Sequence, residues 1–346
     1  MSVDVSKPVE IAENLFWIGA EDPDSSFHCN PYIMLDGDEA VLFDPGSMLH
    51  VDTVLKKIFS LCDLKQIKHV VVTHQDPDLC ASIPFLERMS NANFKIVTHA
   101  KAAVLIKHYG VRSEFYMVSR SLNDRKLILD SGRVLQFYPA WFCHFPGAFV
   151  TYDIKSKVLL SGDLFGGLSK EWSLFANETY VDAMNAFHEN YIPSNQILNL
   201  VLAQLDELPI EIIAPQHGSI IRENINFYID ALRSLPCGMD YIIRPVLSDE
   251  EQTIETEGGY TDLITAVIKR EISVVGEKKV MRALEKTNVE LNAQGKVIDD
   301  EHTFGDFERL LDALVAELGP IALMYCRMKV QKLAAEQGLV LPDSLK

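Results

Sequence analysis

At 346 residues the chain exceeds what one hydrophobic core usually supports, which predicts two domains or one large domain with an appendage. Its 48% hydrophobic and 23% charged residues argue against a disordered or fibrous protein, and a net charge of −17 without a basic patch argues against nucleic-acid or membrane partners. The start does not resemble a signal peptide and no run of roughly 18 apolar residues occurs, so a cytoplasmic protein is expected.

Short apolar runs bounded by turn residues open the chain and predict successive strands. These runs are LFWIGA, PYIMLD and EAVLFDPG. Apolar positions then recur at helical spacing from Val51 to Leu61, and IKHVVVTH predicts a buried strand that ends at a histidine. The polar loop HQDPD leads to a predicted helix, LCASIPFLERMS, and to the next strand, FKIVTH.

The central part of the chain is rich in predicted strands. Four runs separated by turn residues indicate strands: KLILD, VLQFYPA, AFVTYD and KVLLSGD. Helices are expected at Ala183 to Tyr191 and at Ser194 to Glu207, followed by a last strand, IEIIAPQHG. Helix and strand units therefore flank a β-rich centre.

The character of the sequence changes beyond Arg244, where long helical patterns dominate. Apolar residues repeat at helical spacing from Leu263 to Ile272 and from Phe307 to Leu318, with a further helix expected around Ala322 to Ala335. We therefore expect a first domain over residues 1–245 and a helical C-terminal domain over residues 246–346. The acidic stretch Asp249 to Gly259 is the expected linker.

Six polar residues follow predicted strands and form the candidate metal ligands. They are His74, Asp76, Asp78, His144, Asp163 and His217. The last three each precede a turn that contains glycine, which lets the backbone pass close by. The loop HQDPD carries two carboxylates where the start of a helix needs only one, which favours a metal site over helix capping. Asp163 is placed to bridge two metals, and this donor set suits iron, manganese or zinc.

The six cysteines are scattered and include no C-x-x-C pair, so neither a disulfide framework nor a zinc knuckle is indicated. Most are expected to be reduced and buried. Cys80 and Cys143 stand next to the candidate ligands, and we interpret both as buried fillers rather than as thiolate ligands.

These residues resemble the metallo-β-lactamase-fold di-iron domain of flavodiiron proteins and of the shorter oxygen-binding di-iron proteins. The family pattern is H-x-E-x-D, then a histidine, an aspartate and a last histidine, and the candidate ligands match its order. The phrases FWIGAED, VLFDPG, HFPGAFVTYD, VLLSGDLFGG and IIAPQHG also fall where the family keeps characteristic ones. The resemblance spans roughly residues 10 to 225. It implies an α/β (α+β) αββα sandwich that holds two iron ions.

Two positions depart from the family pattern. Asp76 stands where the family has glutamate, so its shorter side chain is expected to reach a metal only through a backbone shift or a bridging water. Leu79 stands where the family, and the hydrolytic two-zinc relatives, usually have histidine. This difference argues against a standard metallo-hydrolase that acts on an ester, thioester or phosphodiester, which is the competing class.

The resemblance implies further roles. His28 and Tyr191 lie where related proteins place a histidine and a tyrosine over the open face of the metals, although packing roles would also explain them. No phosphate-cradling loop follows a strand beyond Arg244, so no flavin is expected in this chain. We therefore favour an oxygen or redox sensor that binds dioxygen, a related diatomic ligand or peroxide. An oxygen or nitric oxide reductase served by a separate electron-donor protein is the alternative.

The helical C-terminal domain is open to two interpretations. In the first, it has a role in sensing, because it forms a homodimer or passes the ligand state to a signalling partner. In the second, it is only an appendage that packs on the first domain.

Overall fold

The computed structural model describes residues 3–91, 94–118, 125–241, 259–292, 296–298, 302–319 and 322–345. The predicted boundary between residues 245 and 246 lies outside the described residues, as does all of the predicted linker except Gly259.

The first sheet contains the seven N-terminal strands in chain order. They are β1 (Val9–Ala12), β2 (Leu15–Trp17), β3 (Tyr32–Asp36), β4 (Glu39–Phe43), β5 (Ile67–Val71), β6 (Lys95–Thr98) and β7 (Phe115–Met117). The strands pair antiparallel up to β4 and parallel from β4 to β7. Strands β1 and β7 were not predicted, because they are short and only partly buried and lack a clear apolar pattern.

The second sheet has the order β12-β11-β10-β9-β8. Its strands are β8 (Lys126–Ile128), β9 (Val134–Pro139), β10 (Phe149–Asp153), β11 (Val158–Gly162) and β12 (Ile212–Pro215). All five coincide with predicted strands. The pair β11 and β12 is parallel, so both strands end at the same edge of the sheet.

Helices cover the outer face of each sheet. Those of the first half are α1 (Val51–Phe59), α2 (Pro77–Cys80), α3 (Ile83–Ser90) and α4 (Ala100–Ile106); those of the second are α5 (Tyr180–Tyr191), α6 (Asn195–Leu205) and α7 (Ile225–Arg233). One apolar core lies between the sheets and includes Trp17 and Phe137, while separate cores lie between each sheet and its helices. This layering is the predicted αββα sandwich. The single helix predicted after HQDPD is instead divided into α2 and α3, and α7 was not predicted.

The C-terminal residues form a helical bundle with its own apolar core. Its helices are α8 (Tyr260–Val275), α9 (Glu277–Leu284), α10 (Phe304–Leu318) and α11 (Ala322–Glu336), of which α9 was not predicted. The bundle packs on α5 of the sandwich through α8 and α11. Within the described residues, no helix is long and apolar enough to cross a membrane.

Glu271 in α8 predicts how the stability of the protein depends on pH. Its side chain is fully buried, and neither carboxylate oxygen has a hydrogen-bond partner among the described residues. Burial raises the pKa of this carboxyl from an ordinary value of 4.5 to about 8, although the Arg270 guanidinium opposes the shift. Between these values the unfolded chain has lost a proton that the folded protein keeps, so stability falls as the pH rises.

We expect Glu271→Gln to remove this pH-dependent loss of folding stability, which amounts to at most about 1.4 kcal/mol per pH unit. Denaturant unfolding at pH 5 and pH 8 should show that the variant gains stability over the wild type mainly at pH 8. Glu308→Gln, at an exposed position of α10, is the control and should leave the pH dependence unchanged. Equal pH slopes for the wild type and Glu271→Gln would contradict the prediction.

Candidate metal centre

The candidate ligands gather where strands of both sheets end. Asp163 directly follows β11, and His217 lies two residues beyond the end of the parallel strand β12. His74 lies three residues beyond β5 in the other sheet, and His144 lies in the connection between β9 and β10. The topology thus brings residues that are distant in sequence to one edge of the sandwich.

Gly162 allows the two sheets to approach each other at this edge. It has a φ of +57°, and a Cβ atom there would lie 3.0 Å from the Thr73 hydroxyl oxygen. A side chain at this position would therefore be strained and would press on the residue before His74. The close approach of Gly162 to Thr73 sets Asp163 beside His74.

A first group of donors surrounds one oxygen of Asp163. The Asp163 Oδ2 atom lies 3.4 Å from His74 Nε2 and 2.9 Å from His144 Nε2. The Asp76 Oδ2 atom lies 3.4 Å and 3.3 Å from the same two nitrogens. Two imidazoles and two carboxylates therefore face a common point.

A second group of donors lies at the other oxygen of Asp163. The Asp163 Oδ1 atom is 3.4 Å from His217 Nε2, and Asp78 Oδ2 is 3.3 Å from the same nitrogen. Asp163 thus presents one oxygen to each group, which is the arrangement that a carboxylate bridging two metals requires.

Each group contains one buried atom that lacks a hydrogen bond. His74 Nε2 and Asp163 Oδ1 have no hydrogen-bond partner among the described residues, although both side chains are almost fully buried. Buried polar atoms are normally satisfied, so an unsatisfied atom in each group indicates that both groups bind a ligand. Nitrogen and carboxylate donors of this kind fit iron, manganese or zinc.

Asp76 reaches the first group despite its short side chain. Its Oδ2 atom lies as close to His74 Nε2 as the Asp163 carboxylate does, at 3.4 Å. Asp76 precedes Pro77, the first residue of α2, and Gln75 Nε2 donates to its other oxygen at 2.7 Å. Asp76 Oδ2 therefore lies among the other donors, and the expectation that it reaches a metal only through a backbone shift or a bridging water stays a prediction.

The carboxylates and imidazoles shift each other's pKa. Burial alone would lower the pKa of the His144 imidazole, but Asp163 and Asp76 outweigh this effect and raise it to about 10. Burial raises the pKa of the Asp163 carboxyl, but the surrounding imidazoles hold it well below its usual range. These opposite shifts favour protonated imidazoles beside ionised carboxylates, so a metal that binds here would displace the imidazole protons.

A backbone carbonyl and a threonine hydroxyl orient two of the imidazoles. His217 Nδ1 donates to the His28 carbonyl at 2.9 Å, which leaves Nε2 free to face the carboxylates. Thr73 Oγ1 lies 3.4 Å from His74 Nδ1. The Asp44 carboxylate in turn accepts hydrogen bonds from the Thr73 amide at 2.9 Å and from its hydroxyl at 3.0 Å. Asp44 therefore positions His74 through Thr73, a role that the sequence analysis did not identify.

We expect Asp44→Asn to weaken metal binding by about 10- to 100-fold, the usual effect of changing a group that orients a ligand. The amide nitrogen that replaces one carboxylate oxygen cannot accept the Thr73 hydroxyl bond. Competition with a chelator measures the affinity, and Asp38→Asn at an exposed position is the control. An affinity within about threefold of the wild type would contradict the proposed role of Asp44.

The two residues expected over the metals differ in their placement. The His28 ring stacks on Trp172 with a distance of 4.9 Å between the ring centroids, and its Nε2 atom lies 3.2 Å from the Ser169 carbonyl oxygen. The hydrogen bond between His28 and His217 involves the backbone carbonyl of His28 and not its ring. Tyr191, at the end of α5, lies with its ring 6.0 Å from the ring of His144. Tyr191 therefore borders the candidate site directly.

Two phenylalanines border His217 and were not singled out from the sequence. The Phe27 ring lies 4.0 Å from the His217 ring, and the Phe187 ring lies 5.7 Å from it. Phe187 also stacks on Tyr191 at 4.7 Å. One side of the site is therefore aromatic.

The cysteines near the site are not equivalent. All six are free, and four are buried, including Cys80 and Cys143. Cys80 Sγ donates to the carbonyls of Gln75 and Asp76, and burial raises the pKa of the Cys143 thiol to about 12. The sulfur of Cys29, by contrast, lies within 4.8 Å of donor atoms of Asp78 and His217.

Comparisons with known proteins agree with this fold. Residues 27–218 match a family described as ODP family beta lactamase. The chemotaxis sensor ODP, solved as a peroxy di-iron species, is 26% identical, with a TM-score of 0.59 over 69% of this chain and 99% of that one. An uncharacterized protein of Methanocaldococcus jannaschii is 25% identical to this chain. The match covers 64% of this chain and 59% of that protein.

A nitric oxide reductase of Moorella thermoacetica is also 25% identical, over 66% of this chain and 61% of the reductase. The chain thus spans less than two thirds of the length of these two curated relatives.

Proposed function

The chain belongs to the ODP family of beta-lactamase-fold proteins, and from this premise we propose that it is a non-haem di-iron protein that binds dioxygen, a related diatomic ligand or peroxide in oxygen or redox sensing. His74, Asp76 and His144 would hold one iron, Asp78 and His217 the other, and Asp163 would bridge them. The observation that carries this proposal is the position of the Asp163 carboxylate, with one oxygen facing each group of donors.

The residues around the donors suit the binding of a small apolar ligand. Two iron ions supply, when bound, the electrons that reduce dioxygen. Phe27 and Phe187 shield His217 on its aromatic side, while Asp76 and Asp78 remain partly open to solvent, with side-chain exposures of 31% and 24%. A diatomic molecule would thus enter from the solvent-exposed side, next to Asp76 and Asp78. On the aromatic side, Phe27 and Phe187 offer no polar group that would compete for the metals.

Helix α5 connects this site with the C-terminal bundle and supports sensing. Toward the site, α5 presents Phe187 to His217 and Tyr191 to His144. Toward the bundle, Ala186 and Phe187 pack with Val274 and Tyr325. A change at the metals that shifts the Phe187 ring would therefore reach α8 and α11 through direct contacts. We accordingly propose that residues 246–346 form a helical domain that passes on the ligand state, alone or as a homodimer.

Turnover is the second candidate function. The relative named nitric oxide reductase supports it, and sustained reduction of dioxygen or nitric oxide would need electrons from a separate donor protein. Hydrolysis is less favoured. The Leu79 side chain is fully buried in the core between the first sheet and its helices, so it offers no donor where the two-zinc hydrolases usually have histidine.

Metal analysis and gas exposure test these functions. Protein purified anaerobically should contain about two irons per chain and little zinc. After reduction, admission of air should change its visible absorption without steady oxygen consumption in the presence of a reductant. Continuous oxygen or nitric oxide consumption with an added reductase would favour the reductase, and zinc in place of iron would favour the hydrolase.

Hydrogen exchange tests the role of α5. Backbone protection in α8 should differ between the reduced anaerobic protein and the air-exposed protein. An Asp163→Ala variant that lacks metal should show the same protection in both conditions. Identical protection of the wild type in both conditions would exclude transmission through α5 while leaving ligand binding intact.

A further inference from the structure

The two groups of donors are unequal in number. Two imidazoles and the Asp76 carboxylate pair with Asp163 Oδ2 or with each other, whereas among the described residues the ion pairs at Asp163 Oδ1 involve only Asp78 and His217. Leu79, the residue after Asp78, is fully buried among apolar side chains and offers no donor to this group. The second metal position therefore has one protein donor fewer than the first.

Cys29 lies where a further donor is needed. Its sulfur, an Asp78 carboxylate oxygen and a His217 ring nitrogen all lie within 4.8 Å of one another, which is the spacing of atoms that bind one ion. The second group also contains a buried atom without a hydrogen bond. This atom is Asp163 Oδ1, which has no hydrogen-bond partner among the described residues and lies 3.4 Å from His217 Nε2. This unsatisfied oxygen points independently to a cation at the same place.

Backbone contacts fix Cys29 beside His217. The two residues pair in an isolated antiparallel bridge, and the Asn30 amide donates to the Gln216 carbonyl at 2.7 Å. The His28 carbonyl accepts from His217 Nδ1, so the ring turns Nε2 toward the carboxylates. The segment that carries Cys29 is thus held against the segment that carries His217, and both donors keep their relative position without a metal.

We propose that Cys29 is a thiolate ligand of the second metal, which would then be bound by Cys29, Asp78, His217 and the bridging Asp163. Binding breaks the S–H bond, forms a metal–sulfur bond and releases the proton to solvent, with no change in oxidation state. Three carboxylates and one thiolate would balance the charge of two divalent ions. Because sulfur is a softer and more electron-donating ligand than oxygen or nitrogen, the two metals would differ electronically.

This inference rests on the proposed two-metal site and is tested by loading the full chain with cobalt(II) alone, under anaerobic conditions. Cobalt bound by a thiolate shows an intense near-ultraviolet charge-transfer band that oxygen and nitrogen ligands do not give. We expect the wild type to bind two cobalt ions and to show this band. Cys29→Ser should lose the band and bind its second cobalt at least tenfold more weakly, while its first cobalt is retained.

Two further variants separate ligation from a structural effect. Cys29→Asp supplies a carboxylate at the same position and should recover the second cobalt without the band. Cys62→Ser changes a cysteine of similar exposure far from the site and should keep both cobalt ions and the band. Two bound cobalt ions without the band in the wild type, or a band that persists in Cys29→Ser, would overturn the inference alone. A wild type that binds no cobalt and no iron would overturn the proposed function as well.

Discussion

Replacing Asp163 by alanine is expected to abolish the binding of both metal ions, because its two oxygens face the two groups of donors. Changes to groups that only orient a ligand already cost about 10- to 100-fold in affinity, so loss of the shared carboxylate should exceed 100-fold at each position. Iron quantification after anaerobic purification should give close to none per chain.

The loss should also be visible in how the protein responds to metal. In the wild type, added iron should raise the unfolding temperature by mass action, whereas Asp163→Ala should not respond. Asp153→Ala changes another fully buried aspartate of the same sheet and is the matched control, because Asp153 pairs with Arg133 away from the site. It should lower stability but leave the metal content unchanged. An Asp163→Ala protein with two irons would refute the bridging role.

The second large effect is expected at Arg270, which joins the C-terminal bundle to α5. Its guanidinium pairs with the Glu189 carboxylate, and the two side chains are only 4% and 7% exposed. Removal of one partner of a buried pair leaves the other charge unpaired and typically costs about 3 to 5 kcal/mol. Arg270→Met should therefore lower the free energy of unfolding by about this amount and increase hydrogen exchange in α8.

A double variant shows whether the unpaired charge is the cause. Arg270→Met combined with Glu189→Leu removes both charges and should recover most of the lost stability. Lys155→Ala breaks an exposed pair with Glu13 and should cost less than about 1 kcal/mol. If Arg270→Met alone costs no more than this control, the buried pair does not hold the bundle on the sandwich.

The layered fold could be predicted from the sequence because most of its strands carry clear apolar runs between turn residues. The runs at β4, β10 and β11 are examples in which every residue is buried. Helix α7 was not predicted although it has apolar positions at helical spacing, and strands β1 and β7, which were also not predicted, contain no fully buried residue. Apolar runs between turn residues are therefore the signal that a single sequence shows best.

The candidate site could be predicted where its residues follow strands. His74, Asp163 and His217 all lie just beyond strand ends, a position that can be identified without a structure. Cys29 could not be found in this way, because it precedes a strand and meets His217 only through the packing of distant segments. Asp44 also directly follows a strand, but its role depends on hydrogen bonds to Thr73 that the sequence does not reveal.

The close approach of Gly162 to Thr73 also bears on how the protein matures. His74 comes from the first sheet, while Asp163 and His217 follow strands of the second, so metal would cross-link segments that are far apart in sequence. A cross-link of this kind closes a long chain loop and can form only after both halves of the sandwich have met. Iron should therefore be acquired late in folding, and a metal-loaded chain should resist separation of its two halves more strongly than a metal-free one.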